Sequence, residues 1–149
     1  IVTTSNTIDS LIYYDNIPES IQNSTYFMPV SGSDYWQVQV IGAIVGGIDM
    51  SSYTSNVAVI DSGTSYFYIN QNLYNRIMKS FFLDCGVDQG TPVCLCSSTS
   101  TWPQFNFLFD GIEVYIPSSQ YIGILDSSNN LCTYNFGVKF SSINCGILL

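Results

Sequence analysis

The sequence contains no histidine and very few basic residues. Three Lys or Arg stand against eleven Asp or Glu, which gives a formal net charge of −8. A nucleic-acid-binding surface needs several cations to neutralise phosphates, so the charge argues against a nucleic-acid partner. Anionic membranes are disfavoured for the same reason. The excess of acidic residues is compatible with a protein that functions at acid pH, where protonated carboxyl groups no longer repel one another. It is equally compatible with an ordinary solubilising surface.

Long hydrophobic runs are also absent. No segment approaches the length of a membrane-spanning helix, and the chain opens without the basic start and apolar run of a signal peptide. Charged residues make up only 9% of the chain, whereas apolar residues make up 46%, with eleven Tyr and nine Phe. This composition suits strands and turns better than helices, and 149 residues are enough for one domain with a proper core.

The cysteines do not follow a zinc-binding pattern. They are Cys85, Cys94, Cys96, Cys132 and Cys145. They form no two Cys-x2-Cys pairs, and without histidine a zinc site would have to be all-thiolate. Disulfides in an oxidising compartment are the better interpretation. Asn23-Ser24-Thr25 is an N-glycosylation sequon, which agrees with secretion.

Asp61 directly follows the apolar residues 57–60, which predict a strand buried on both sides. A carboxylate at the end of such a strand is costly to ionise unless hydrogen-bond donors receive its charge. Ser62 and Thr64 offer hydroxyl groups, and Gly63 lets the backbone turn so that its amide can point back at the carboxylate. The pattern predicts a rigidly held carboxyl group shared with a second acid, although Asp-Ser-Gly is also a common turn sequence in a Ser-rich chain.

Alternating apolar residues predict strands on both sides of this turn. Residues 26–30 and 35–40 are expected to form two of them, with Trp36, Val38 and Val40 sharing the buried face of the second. Further strands are predicted over residues 67–69, 132–136 and 143–149. The sum is a mostly β chain with one or two short helices.

The sequence after the turn predicts a helix and a hairpin. Asn70 is the expected N-cap of a helix over residues 71–82, which has one apolar face. Apolar residues alternate over Phe105–Phe109 and again over Ile112–Ile116, on either side of Asp110-Gly111. This spacing predicts a tight hairpin with one face on a core.

The order of these patterns resembles the C-terminal lobe of the pepsin-like aspartic proteases, the eukaryotic aspartyl protease family. Ile60-Asp61-Ser62-Gly63-Thr64-Ser65 is similar to the second Asp-Thr/Ser-Gly-Thr motif of that family. Tyr35-Trp36-Gln37-Val38 resembles the Tyr-Trp-Gln strand that precedes the motif, and Pro103-Gln104-Phe105-Asn106-Phe107 with Asp110-Gly111 resembles the hairpin that follows it. The resemblance rests on order and spacing and extends over residues 35–132.

This resemblance implies a mostly β fold: one lobe of the pepsin-like double-psi β-barrel (acid protease) fold, with one or two short helices. Residues 1–149 would all belong to the C-terminal lobe, with residues 1–25 leading into it and residues 26–149 forming its core. Ile147-Leu148-Leu149 looks like the start of the apolar-apolar-Gly-Asp strand that closes this lobe in the family. Because the chain stops there and holds one Asp-Ser-Gly, we expect a fragment of a larger enzyme with truncated last strands.

The resemblance also implies a mechanism. The enzyme would be an aspartic endopeptidase that hydrolyses peptide bonds with a water activated between two Asp, of which Asp61 is the second-lobe member. Ser62 would form a cross-lobe hydrogen bond, Gly63 would present its backbone to the carboxylate and substrate, and Thr64 would bond the outer carboxylate oxygen. No metal or cofactor enters this chemistry. The expected partners are polypeptide substrates and a missing N-terminal lobe, without which the chain is expected to be inactive.

A Cys96–Cys132 bridge follows from the same resemblance. Cys85–Cys94 is the second bridge that we expect, and it leaves Cys145 single. Together with the glycosylation sequon at Asn23, these bridges predict a secreted protein or one in a lysosome- or vacuole-like acidic compartment.

Two other hypotheses remain open. A self-pairing protease would take one Asp from each of two identical lobes, but no glycine-rich hairpin that could serve as a flap precedes the motif. A non-catalytic, solitary relative would use its cleft for binding or inhibition, and its mark would be the loss of the other Asp in the missing half.

Overall fold

The structure, a computed structural model, describes residues 2–3, 10–11, 18–23, 26–33, 35–61, 66–138 and 147–148. Within these ranges the chain is mostly β, which confirms the expected fold class. The strands are β1 (Val2–Thr3), β2 (Ser10–Leu11), β3 (Gln37–Gln39), β4 (Gly42–Val45), β5 (Ile48–Asp49), β6 (Val57–Val59), β7 (Phe67–Ile69), β8 (Gly86–Asp88), β9 (Thr91–Leu95), β10 (Phe105–Phe109), β11 (Ile112–Ile116), β12 (Ile122–Asp126), β13 (Leu131–Tyr134), β14 (Phe136–Val138) and β15 (Ile147–Leu148). The α-helices are α1 (Glu19–Gln22) and α2 (Gln71–Phe81), and single-turn or short 3-10 helices cover Ser51–Tyr53, Cys96–Thr101 and Ser118–Gln120.

The described strands form three larger sheets and one short pair, β1 with β2. The first sheet has the order β14-β7-β15-β6-β3, the second β11-β10-β4-β5 and the third β12-β13-β9-β8. Most neighbours are antiparallel, but β14 runs parallel to β7 and β15 runs parallel to β6. Parallel neighbours cannot be joined by a tight turn. The first sheet therefore brings together strands from distant parts of the chain, whereas the other two contain mainly local hairpins.

The hairpin of β10 and β11 agrees with its prediction. Phe105, Phe107 and Phe109 all lie on the buried face of β10, and Gly111 takes a positive φ of 74° in the turn. The other edge of β10 pairs with β4, a buried strand that the sequence pattern did not predict. The four residues of β4 are too few to show the alternation that predicts a strand.

Aromatic rings fill the space where the three sheets meet. Phe67 of β7, Phe105 of β10 and Phe136 of β14 lie with their ring centroids 4.9 to 5.3 Å apart. The ring of Tyr134, on β13, lies 4.5 Å from that of Phe136 and adds the third sheet to the same cluster. Buried rings at these distances stabilise a core both by the apolar area they remove from water and by their edge-to-face contacts.

Two buried tyrosines in this core have partners for their hydroxyl groups. The Tyr121 hydroxyl donates to the backbone carbonyl oxygen of Pro103. The hydroxyl oxygens of Tyr134 and Tyr74 lie 3.0 Å apart. Burial raises the pKa of both Tyr121 and Tyr134, so their hydroxyl groups stay protonated and available for these hydrogen bonds.

Helix α2 begins where the sequence predicted. The Asn70 side-chain oxygen accepts a hydrogen bond of 2.8 Å from the backbone N–H of Leu73, as an N-cap does. Leu73 and Ile77 are fully buried, and the helix ends at Phe81, one residue before the predicted end. The apolar face of α2 therefore packs on the core, while its other side is exposed.

The structure contains both expected disulfides, Cys85–Cys94 and Cys96–Cys132. Cys94 and Cys132 lie directly opposite each other on β9 and β13, yet each bonds to a different partner. The two bridges therefore tie the third sheet both to the segment after α2 and to the 3-10 helix Cys96–Thr101. Cys145 lies outside the described residues.

One strand prediction near the start of the chain was wrong, and a second was correct only in part. Residues 26–30 form no strand: Val30 makes a single β-bridge to Val38, Tyr26 and Phe27 are exposed, and Met28 packs partly buried against the core. The next strand begins at Gln37, so Trp36 lies outside it and is 73% exposed, whereas Val38 is buried. The alternating pattern did not show that β3 lies at the edge of its sheet, where little remains to cover Trp36. Of the predicted strand 143–149, the described part is β15.

Truncation of Phe105 should show how far the fold depends on the aromatic cluster. Phe105 is fully buried, so we expect Phe105→Ala to lower the free energy of unfolding by about 3–5 kcal/mol. Tyr115→Ala, on the exposed face of the same hairpin, should cost about 0.5 kcal/mol. Chemical denaturation measures both values, and equal losses in the two variants would contradict the assignment of the core.

Removal of the two disulfides should have unequal effects. Their sequence separations are 36 residues for Cys96–Cys132 and 9 residues for Cys85–Cys94. A longer loop loses more chain entropy when it is closed, so replacing the first pair by Ala should cost about 4 kcal/mol and the second about 2.5 kcal/mol. Denaturation midpoints of the two double variants test this order, and the reverse order would show that strain or residual structure outweighs loop length.

Candidate active site

Asp61 lies where strand β6 leaves the core. Ala58 and Val59 are buried, Ile60 is 39% exposed and Asp61 is half-buried. The strand is therefore buried only up to Val59, one residue short of the predicted run. A carboxyl group at this position is reached by solvent while its backbone is still held by the sheet.

The backbone of this strand end is held from both sides. On one side β3 pairs antiparallel with β6, and the Ile60 N–H donates a hydrogen bond of 3.0 Å to the carbonyl oxygen of Trp36. On the other side β15 pairs parallel with β6, Leu148 lying opposite Val59. Because both neighbours stop the strand from shifting, the Cα of Asp61 has a fixed position at this edge of the sheet.

Strand β15 separates β6 from β7 in the sheet. It runs parallel to β6 and antiparallel to β7. The end of β6, the carboxyl end of β15 and the start of β7 therefore lie at the same edge of the sheet, and Asp61 follows β6 at that edge.

The predicted supporting residues Ser62, Gly63 and Thr64 lie outside the described residues, as do the Ser and Thr of the glycosylation sequon. The hydrogen bonds that we expect from them to Asp61 therefore remain predictions. Asn23, the acceptor of the sequon, follows α1 and is exposed. It is in a position to be modified.

Several large apolar side chains are exposed in the segments that lead into β3 and that flank the Asp61 turn in sequence. They are Tyr26, Phe27, Val30, Tyr35, Trp36, Ile60 and Tyr66. A shallow depression of about 330 Å³ is lined by Val30, Gly32, Ser33, Tyr35 and Trp36. Of these side chains, Trp36 and Ile60 were predicted to be buried, and both are exposed. Exposed apolar side chains that lie close together mark a candidate interaction surface.

The described part of the chain contains no group of three His, Cys, Asp or Glu side chains that could hold a metal ion. No helix in the same ranges is long and apolar enough to cross a membrane.

A model of the eukaryotic aspartyl protease family matches residues 10–148. The chain belongs to this family. It is 30% identical over 120 residues to pepsin A of Gallus gallus, which covers 80% of this chain and 31% of that protein. It is 28% identical over 114 residues to pepsin-2B of Gadus morhua, and this match covers 76% of this chain and 33% of that protein. It is also 28% identical over 131 residues to gastricsin of Homo sapiens, and this match covers 85% of this chain and 30% of that protein.

Membership of this aspartyl protease family explains the architecture. The mostly β fold with two short helices is that of one pepsin-like lobe, as the motif order predicted. The matched range includes Asp61, both disulfides and β15. The chain spans about a third of the length of these curated relatives.

Strand β15 should be essential for the geometry around Asp61. Leu148 has β6 on one side and β7 on the other, and proline at this position would remove a backbone donor from the middle of the sheet. We expect Leu148→Pro to lower the free energy of unfolding by about 1–3 kcal/mol more than Leu148→Ala, which keeps the N–H. Denaturation of the two variants measures the difference, and equal stability would mean that β15 is not inserted between β6 and β7.

Proposed function

We propose that this chain is the C-terminal lobe of an aspartic endopeptidase, in which Asp61 supplies one of two catalytic carboxyl groups. The observation that carries the proposal is the position of Asp61 at the end of β6, held between β3 and β15 and followed by Ser62-Gly63-Thr64. Its membership of the aspartyl protease family supports peptide-bond hydrolysis as the chemistry.

Catalysis by this site needs a second carboxyl group close to Asp61. Two carboxyl groups this close cannot both ionise easily, so they share one proton. The ionised member takes a proton from a bound water as that water attacks the scissile carbonyl carbon, and the protonated member donates to the carbonyl oxygen. Because the two carboxyl groups titrate together, their pKa values describe the pair and cannot be assigned to one residue. In this proposal neither a metal nor a cofactor takes part.

The turn after Asp61 would keep its carboxyl group in place. The Thr64 hydroxyl would donate to the outer carboxylate oxygen, and the Gly63 amide would point toward the carboxylate and the substrate. Ser62 would reach across to the equivalent turn of the other lobe. Each of these donors lowers the cost of holding a charged group at the edge of an apolar sheet.

The second carboxyl group would come from an N-terminal lobe of the same protein. The exposed apolar side chains near Asp61, such as Trp36, Ile60 and Tyr66, support contact with that lobe and with a polypeptide substrate. Apolar surface on both sides of a cleft binds the side chains of an extended peptide and excludes water from the reacting groups. The chain alone would lack half of the carboxyl pair.

The disulfides and the exposed Asn23 support a secreted enzyme or one in a lysosome- or vacuole-like acidic compartment. The excess of acidic residues fits such a place, because their mutual repulsion falls when carboxylates are protonated.

Asp61→Asn in the full-length protein tests the proposal. The amide cannot accept the proton from water, so we expect proteolysis of a denatured protein substrate at acid pH to fall by about a thousandfold or more. Asp110→Asn is a matched control, since it makes the same change in the β10–β11 turn and Asn-Gly suits that turn equally well. Denaturation midpoints should be unchanged in both variants.

Each outcome of this test has a definite meaning. Activity retained in Asp61→Asn would remove Asp61 from the mechanism. A wild-type protein that cuts no peptide at acid pH but binds one would favour the non-catalytic hypothesis. Activity from this chain alone as a symmetric dimer would favour the self-pairing protease.

A further inference from the structure

Helix α2 concentrates positive charge at one place on an acidic chain. Arg76 and Lys79 are the two basic residues among those that the structure describes, and both line one depression of about 480 Å³. The depression is lined by Ser52, Tyr53, Asn72, Asn75, Arg76 and Lys79. It shares no residue with the depression beside Trp36. The whole sequence has only three Lys or Arg, so this placement is notable.

The packing of α2 keeps the two cations beside each other. Leu73 and Ile77 are buried in the core, so Arg76 and Lys79 project from the exposed side of the helix. Residues three apart on a helix are neighbours, and two like charges there repel each other. An anion between them would remove this repulsion.

The guanidinium group of Arg76 has a defined orientation. Its Cζ lies 5.6 Å from the centroid of the Tyr53 ring, within the range of a cation–π contact. A guanidinium group held in this way presents a planar pair of N–H donors, which matches two oxygens of one anion. Asp49, four residues before Tyr53, accepts hydrogen bonds from the N–H and the hydroxyl of Ser51, which lower its pKa and occupy one of its oxygens.

Neutral donors complete the depression. Gln71 Nε2 donates a hydrogen bond of 2.8 Å to Asn75 Oδ1, so the acceptor end of Asn75 is occupied and its Nδ2 group remains to donate. Asn72 and Ser52 add an amide and a hydroxyl group at the rim. Two cations surrounded by neutral N–H and O–H donors are the complement of an oxyanion.

We propose that this depression binds a phosphate group, either free or esterified to a small organic molecule. A phosphate carries nearly two negative charges and several strong acceptors in a small volume, which matches two adjacent cations and their neutral neighbours. An extended acidic peptide fits less well, because its further charges would meet a surface that is itself acidic. The site is independent of Asp61 and of the proposed proteolysis.

Calorimetric titration of the full-length protein at neutral pH and low salt tests the proposal. The probes are inorganic phosphate in one arm and glycerol 2-phosphate in the other. We expect Arg76→Gln and Lys79→Gln each to weaken binding of the preferred probe by about fivefold. Lys79→Arg, which keeps the charge, should bind as the wild type does. Tighter binding of inorganic phosphate would indicate that the ligand is free phosphate, and tighter binding of glycerol 2-phosphate would indicate a phosphate ester.

The control for net charge is Ser100→Glu. Ser100 is exposed on the 3-10 helix Cys96–Thr101 and does not line the depression, and its replacement lowers the net charge by one, as Lys79→Gln does. We expect it to bind phosphate within about twofold of the wild type. Equal weakening in Ser100→Glu and Lys79→Gln, no saturable binding of either probe, or tighter binding of a Glu-rich peptide than of phosphate would overturn the proposal.

Discussion

The contact among the rings of Phe67, Phe105, Phe136 and Tyr134 is the constraint on which the rest of this lobe depends. These residues come from four strands in three sheets, and their rings meet within a few ångströms. Among the described residues, two disulfides also link the third sheet to the segments beside it. A chain with only 9% charged residues has few ion pairs available to hold sheets together, so apolar packing must do it.

The candidate site depends on this core through strand β7. Phe67 fixes the start of β7, and β15 fixes the distance between β7 and β6. The end of β6 beside Asp61 and the start of β7 are therefore both held by the sheet. If Asp61 acts as proposed, this support lowers the entropy that its carboxyl group loses at the moment of reaction, which is the usual advantage of placing a site on rigid strands.

The predictable features are those encoded over a few neighbouring residues. The Asn70 cap, the alternation of Phe105, Phe107 and Phe109, and the Gly111 turn follow from local geometry, and the structure agrees with each. The position of Asp61 at the end of a strand was predictable for the same reason. The exposure of Trp36 was not, because it depends on which strand lies at the sheet edge. The proximity of Tyr53 to Arg76 likewise arises only when two separate segments pack together.

Insertion of β15 between β6 and β7 also has a consequence for how the protein is made. Residue 147 pairs with residue 58, so this contact has one of the largest sequence separations in the chain. Closing so long a loop is slow, and a ribosome releases the residues of β15 long after those of β6. Until β15 is synthesised, β6 and β7 lack the strand that lies between them, and their unpaired edges can associate with other chains. Assembly of the Asp61 turn is thus expected to be among the last steps of folding.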